Sequence, residues 1–279
     1  MATKITTGVI KDMKKNGEPI TMITAYDFAM AKNVCEAGID TILVGDSVGN
    51  VMLGYSSTIP VTMDEMIHHT KAVMRGITTG AMVIGDMPFM SYQASLVDGM
   101  YNAARFLKET GCHAVKLEGG AEICGLVEKL TKAGIPVCGH IGLTPQSVNQ
   151  LGGFKVQGKD AAAAQKLIDD AKALEKAGAF AIVLECVPAA LAKKVTDELK
   201  SAATIGIGAG NGCDGQVLVC NDLLGVSDGF RPKFAKAYCD LHGTVVAAVK
   251  QYIAEVKDRS FPAEEHTFKM DNEILDKLY

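Results

Sequence analysis

The chain has 279 residues, 48% of them hydrophobic, and a formal net charge of −4. The length admits one large domain or two small ones, and the apolar content excludes a disordered chain. The slight acidic balance leaves no electrostatic footprint for nucleic acid or for an anionic membrane surface.

Residues 5–16 read as a first helix, within an amino-terminal stretch of 1–19. Short apolar runs then alternate with helical patterns. The runs are Ile20–Ala25, Thr41–Gly45, Ala81–Gly85, Cys112–Leu117, Ile135–Gly139, Ala179–Leu184, Ala203–Gly208 and Gln216–Cys220. They are continuous rather than alternating, so they predict strands buried on both faces. Helices are predicted at Phe28–Ala37, Asp64–Gly76, Ala94–Thr110, Ala121–Ala133, Ala161–Ala177 and Ala189–Leu199, with Lys233–Lys257 closing the pattern. Gly38, Gly111, Gly134 and Gly178 stand where helix-ending glycines belong. The tail from 261 to 279 reads as polar. Strands that alternate with helices in this way predict an α/β fold, a single (β/α)8 barrel over 1–279. A doubly wound open sheet is the alternative.

No apolar run reaches the roughly 18 residues of a membrane span. The first 17 residues carry lysines and lack a secretory apolar core. The eight cysteines form no CxxC pair and mostly sit inside apolar runs. They read as small buried hydrophobes in a reducing compartment, so a soluble cytoplasmic protein is expected.

The strand ends carry the functional signal. Asp46 follows Leu43-Val44-Gly45, Asp86 follows Val83-Ile84-Gly85, and Glu118 follows Val115-Lys116-Leu117. His140 ends Val137-Cys138-Gly139, and Glu185 ends Ile182-Val183-Leu184. In a barrel of this kind, the carboxyl rim is where active sites are assembled. Asp46, Asp86 and Glu118 suit a hard divalent cation such as Mg²⁺, which leaves Glu185 for proton chemistry. Lys116 and Glu118 are two apart and share one face of a strand. The lysine could neutralise the acids or bind a substrate carboxylate, and His140 joins the same rim.

Other signals are weaker. The segment Gly210–Gly215 matches GxGxxG by letters, but no acid ends a suitable next strand. The loop 205–210 could cradle a phosphate or allow close backbone approach. His68-His69 has no third ligand at metal spacing and reads as surface or packing, and His113 as structural.

Several longer blocks then become specific: Thr24-Ala25-Tyr26-Asp27, Val44-Gly45-Asp46-Ser47, Asp86-Met87-Pro88-Phe89-Met90, Val115-Lys116-Leu117-Glu118-Gly119-Gly120, the stretch Pro136 to Asn149, and Leu184-Glu185-Cys186-Val187-Pro188. With them the chain resembles the ketopantoate hydroxymethyltransferase family from about Thr21 to Phe268. The resemblance implies a (β/α)8 enzyme of pantothenate biosynthesis. It would transfer a hydroxymethyl group from 5,10-methylenetetrahydrofolate to 2-oxoisovalerate and yield 2-dehydropantoate. Carried over by motif, Asp46, Asp86 and Glu118 surround Mg²⁺. Lys116, Ser47, Asp46 and Asp86 match the oxoacid-binding positions, and Glu185 matches the proton acceptor. A homodecamer, a pentamer of dimers, is implied as well. Competing readings are a Mg²⁺-dependent carbon–carbon lyase of the isocitrate lyase type, and a non-catalytic barrel kept as a binding module. Two departures are visible: Lys200–Thr204 replaces an Ile-Pro-Val-like strand entry, and Lys269–Tyr279 extends the chain.

Overall fold

The computed structural model describes residues 4–229 and 231–278. They form two compact units, 4–220 with 232–235, and 221–229 with 231 and 236–278.

The first unit is built on eight parallel strands: β1 (Ile20–Thr24), β2 (Thr41–Val44), β3 (Met82–Asp86), β4 (Ala114–Glu118), β5 (Val137–Gly142), β6 (Ala181–Glu185), β7 (Ala203–Ile207) and β8 (Gly215–Leu218). They pair in sequence order and close, β8 against β1. The expected (β/α)8 barrel is what forms, and an open doubly wound sheet is excluded. Seven longer helices accompany the strands: α1 (Thr7–Asn16), α2 (Phe28–Glu36), α4 (Met63–Gly76), α5 (Leu96–Arg105), α6 (Cys124–Lys132), α8 (Ala161–Lys176) and α9 (Ala189–Glu198). Two single-turn helices, α3 (Val48–Val51) and α7 (Val148–Leu151), were not visible in the apolar pattern.

Strand boundaries move by up to three residues from the apolar runs. The lead-in residues Cys112, Ile135, Ala179 and Phe180 are buried without being strand. Burial, not pairing, made them apolar. The helix expected to run to Thr110 ends at Arg105. A widened π turn takes over from Phe106 to Thr110, where the Thr110 hydroxyl donates to the Phe106 carbonyl. Phe106 is fully buried, and a Cβ on Gly85 would fall 2.4 Å from its ring. Glycine at 85 therefore lets this ring lie directly on β3.

Side-chain parity layers the barrel interior. Met82 and Ile84 on β3, Ala114 on β4, Cys138 on β5, Ala181 and Val183 on β6, and Ile205 and Ile207 on β7 belong to one buried cluster. The next inward position upward is Asp86 on β3 and Glu185 on β6. On β4 it is Lys116 and then Glu118, and on β5 it is His140. The interior is thus apolar below and charged at the carboxyl rim. At the other end Ile10 and Met13 of α1 join the apolar cluster. Burying each of them contributes roughly 1.5–3 kcal/mol.

The second unit contains most of α10 (Cys220–Leu224), α11 (Leu241–Asp258) and α12 (Asn272–Leu275). The closing helix starts at Leu241 rather than Lys233. Asp240 caps it by accepting from the Gly243 N–H at 2.9 Å. Helix α11 has no buried residue, and Val245, Val249, Tyr252, Ile253 and Val256 are exposed along it. No described helix is long and apolar enough to cross a membrane. The eight cysteines are all described and no disulfide joins them. Four are buried, and Cys239 is exposed, unlike the rest.

Candidate active site

Strand register sets the site. Asp86 pairs with Lys116 across β3–β4, and Glu118 with His140 across β4–β5. Neighbours in register project to the same side, so these four side chains meet above the apolar layers. Asp86 and Glu118 close their strands. His140 lies two residues inside β5, and Asp46 stands two residues past β2, at the turn into α3. Asp46, Asp86, Lys116, Glu118 and His140 are each between 1% and 5% exposed. Ionisable groups rarely sit this deep unless paired.

They form one chain of contacts. The Asp46 N–H donates to Asp86 Oδ2 at 3.0 Å. Lys116 Nζ lies 2.9 Å from Asp86 Oδ1, 3.8 Å from Glu118 Oε1 and 3.1 Å from His140 Nδ1. His140 Nδ1 is 3.4 Å from Glu118 Oε1, and its Nε2 is 3.3 Å from Glu185 Oε2. Glu185 is the partly exposed member, with its side chain 16% accessible. Lys116 and Glu118 do share a face, as their spacing requires.

Burial raises the Asp46 carboxyl well above the usual carboxylate range, and the neighbouring Asp86 and Glu118 add to the shift. Burial raises Asp86 as well, against the pull of Lys116. Burial and Lys116 push His140 down, but the carboxylates of Glu118 and Glu185 prevail and lift it to about 9. Burial alone would raise Glu118, yet His140 and Lys116 bring it below its ordinary value.

Three buried atoms, Asp86 Oδ1, Glu118 Oε1 and His140 Nε2, lie within ion-pair reach of a neighbour but make no aligned hydrogen bond. Such orphans are uncommon in a finished interior and mark a place where something else binds. Four carboxylates face Lys116 and His140, an excess of at least two negative charges when all the acids are ionised. The all-oxygen donor set and that excess suit one hard divalent cation. The fit lies in donor chemistry. Among the described residues, no three His, Cys, Asp or Glu side chains are already gathered as a metal site.

Two neutral residues escaped the sequence reading. Gln146 is 3% exposed. Its Nε2 donates to Asp46 Oδ2 and to the Met87 carbonyl, each at 2.9 Å, and its backbone N–H donates to Glu118 Oε2 at 3.0 Å. Tyr92 is also buried, and its hydroxyl accepts from the Glu118 N–H at 3.0 Å. Both lie in loops without periodicity, and the only signal was their nearness to the Asp86 block and their place in the Pro136–Asn149 stretch. Ser47 stands apart from the charged chain of contacts. Its Oγ is 2.8 Å from the Tyr26 hydroxyl.

The remaining expectations resolve plainly. The loop 205–210 follows the close-approach reading. A Cβ on Gly208 would meet the Phe234 ring at 2.8 Å, and one on Gly210 would meet Ala189 at 2.5 Å. His69 is a packing residue, with Nδ1 2.7 Å from the Tyr26 carbonyl. His113 accepts the Val83 N–H at Nδ1, 2.9 Å away, on the opposite rim. Beside Glu185 the backbone is tight. Cys186 has a left-handed φ of 48°, uncommon for a residue with a side chain. A Cβ on Gly142, φ 94°, would fall 2.3 Å from the Glu185 carbonyl oxygen.

The family model of ketopantoate hydroxymethyltransferase matches residues 4–264. The chain belongs to the ketopantoate hydroxymethyltransferase family. It is 61% identical to the 3-methyl-2-oxobutanoate hydroxymethyltransferase of Carboxydothermus hydrogenoformans, over 99% of each chain. The same identity holds for the enzyme of that name from Syntrophus aciditrophicus, over 95% of this chain and 97% of the relative. Membership in this family makes the chain a transferase of the hydroxymethyl group. Among solved structures, a phosphonopyruvate hydrolase complexed with oxalate and Mg²⁺ superposes with a TM-score of 0.59 at 13% identity, covering 97% of this chain and 94% of the other. A 2,3-dimethylmalate lyase superposes with 0.59 at 15%, covering 97% and 93%. These two share the barrel fold with the ketopantoate hydroxymethyltransferase family.

Proposed function

We propose that the rim converts 2-oxoisovalerate to 2-dehydropantoate with 5,10-methylenetetrahydrofolate as the one-carbon donor. The observation that carries this reading is the unbroken run of buried ionisable contacts from Asp46 to Glu185, in a chain of this family. Asp46, Asp86 and Glu118 would hold a Mg²⁺ ion, which when bound supplies Lewis-acid stabilisation of an enolate oxygen.

The chain's own groups supply the rest. Glu185, the accessible acid, takes the C3 proton of the oxoacid. One water hydrolyses the methylene bridge of the folate, both of its C–N bonds break and tetrahydrofolate leaves, so that the one-carbon unit is delivered as a formaldehyde-level C=O. The enolate carbon bonds to that carbon while the C=O π pair moves onto the oxygen, which becomes the hydroxyl by taking back a proton from the protonated Glu185. His140 Nε2, 3.3 Å from Glu185 Oε2, stands beside the carboxylate that abstracts the proton. The Lys116 ammonium, 3.1 Å from His140 Nδ1, suits the substrate carboxylate or the growing enolate charge. Ser47, fixed by Tyr26, is an oxoacid-contacting hydroxyl. The apolar layers below exclude water from the face where the carbanion forms.

The same reading makes 1–279 one (β/α)8 barrel domain of a cytoplasmic protein that assembles as a homodecamer. The exposed hydrophobic residues of α11 support self-association, and sedimentation velocity tests it. For the chemistry, purified protein with Mg²⁺, oxoacid and folate should form 2-dehydropantoate. Without folate, oxoacid and Mg²⁺ in D₂O should exchange the C3 hydrogen, followed by NMR. Absence of both signals overturns the proposal.

A further inference from the structure

Gln146 is a neutral residue that touches two of the three acids assigned to the cation, one through its side chain and one through its backbone. Its amide is held on both sides. Both Nε2 hydrogens are used, on Asp46 Oδ2 and the Met87 carbonyl. Oε1 accepts from Gln93 Nε2 at 3.1 Å and lies 3.0 Å from the Tyr92 hydroxyl. An amide has two donors and two acceptor sites; both donors and one acceptor site are engaged, and the Tyr92 hydroxyl, whose single hydrogen also reaches the Glu118 carbonyl at 3.0 Å, stands at the other. Turning the amide over would set Oε1 against the Met87 carbonyl and the Asp46 carboxylate, and Nε2 against the Gln93 amide nitrogen. The orientation is therefore fixed from outside by Gln93 and Tyr92, and it fixes Asp46 in turn. The backbone N–H of the same residue holds Glu118 Oε2, which leaves Oε1, the atom without an aligned partner, turned to the cluster.

We propose that Gln146 is the positioning residue of the cation site. It clamps Asp46, in the turn after β2, and Glu118, at the end of β4, at a set separation, and it takes its own orientation from Tyr92 and Gln93. Outer groups that orient ligating carboxylates commonly change metal affinity by about 10–100-fold when removed. Methionine matches glutamine in length and can neither donate nor accept strongly, so Gln146→Met removes the side-chain clamp and keeps the volume. Gln93 lies at the exposed end of the network, so Gln93→Met loosens the amide without touching the buried cluster.

The inference rests on the cation assignment above. The test is direct binding of Mn²⁺, a spectroscopic stand-in for Mg²⁺, followed by electron paramagnetic resonance on the full-length protein with oxoacid present, beside steady-state kinetics. Gln146→Met should raise the Mn²⁺ dissociation constant by about 10–100-fold and raise KM for the oxoacid. Its kcat at saturating metal and substrate should stay within about fivefold, because no reacting atom is touched. Gln93→Met should shift the same dissociation constant in the same direction by about threefold, and it carries the test if Gln146→Met does not fold. A purely structural role would lower the melting temperature and the active fraction and leave the dissociation constant alone. Unchanged Mn²⁺ affinity in the folded variants overturns the inference while the cation assignment stands. Failure of the wild-type protein to bind Mn²⁺ or Mg²⁺ overturns the assignment and this inference with it.

Discussion

The two rims of the barrel use the same side chains to opposite ends. At the lower rim three carboxylates are each engaged by several donors. Asp214 Oδ2 accepts from Lys14 Nζ at 2.8 Å, the Thr204 N–H at 2.8 Å and the Thr204 hydroxyl at 3.1 Å. Glu175 Oε1 accepts three consecutive backbone N–H groups, of Lys200, Ser201 and Ala202. Asp40 Oδ2 accepts from both the N–H and the hydroxyl of Thr21. At the upper rim the acids outnumber the cations, and three buried atoms lack an aligned partner. A satisfied charge holds a loop, whereas an unsatisfied one waits for a ligand. The comparison separates structural from chemical charge together with exposure, since Asp40, Glu175 and Asp214 are half-buried whereas Asp46, Asp86 and Glu118 are buried.

Substitutions can break this contrast, beginning with the largest expected effect. Glu185→Gln keeps the shape of the upper rim and removes the base. Exchange of the oxoacid C3 hydrogen in D₂O should fall by about 10²–10⁴-fold, and undiminished exchange would take Glu185 out of the mechanism. At the lower rim, Asp214→Ala strands Lys14 in a largely buried place, so chemical denaturation should show a loss of about 3 kcal/mol. Turnover per folded molecule should be unaffected, and a specific loss of turnover would refute the division between the rims.

Asp46→Asn tests the cost of the upper rim. The amide removes one of the crowded charges and can still accept from Gln146, so the metal-free protein should gain about 1–2 kcal/mol while cation binding weakens. A loss of stability in thermal melts would mean that the cluster is already balanced. The smallest effect concerns His113. Burial lowers its pKa below the ordinary 6.5, and the Val83 N–H needs a neutral Nδ1. The unfolded chain then binds the proton more readily than the folded one. This contribution to stability is complete above about pH 6.5 and declines as pH falls below it. Urea midpoints at pH 7.5 and 5.5 should therefore differ more for the wild type than for His113→Asn, and equal differences would remove His113 from the acid response.

What was legible in the chain follows from the same physics. Parallel strands buried on both faces must be continuously apolar, so all eight stood out. Acids that end such runs have no place in a core, so Asp86, Glu118 and Glu185 could be picked without coordinates. Gln146 and Tyr92 could not. Neutral polar residues in loops carry neither periodicity nor misplaced charge, and only the pairing of distant segments reveals their partners. The ends of α5 and α11 were misplaced because a π turn at Phe106 and a cap at Asp240 are local hydrogen-bond events that hydrophobic patterning does not encode.

Gly142 sets a limit of another kind. Its φ of 94° and the 2.3 Å that a Cβ would leave to the Glu185 carbonyl close the position twice over. A library meant to widen the range of oxoacids would gain by varying the loops above β3 and β5, where side chains can change without moving strands. Any residue but glycine at 142 would push the main chain that carries the proposed base, so the screen would lose the reaction before it sampled a new substrate. Efforts to redesign this barrel should hold that position fixed and count it with Glu185 as one inseparable unit.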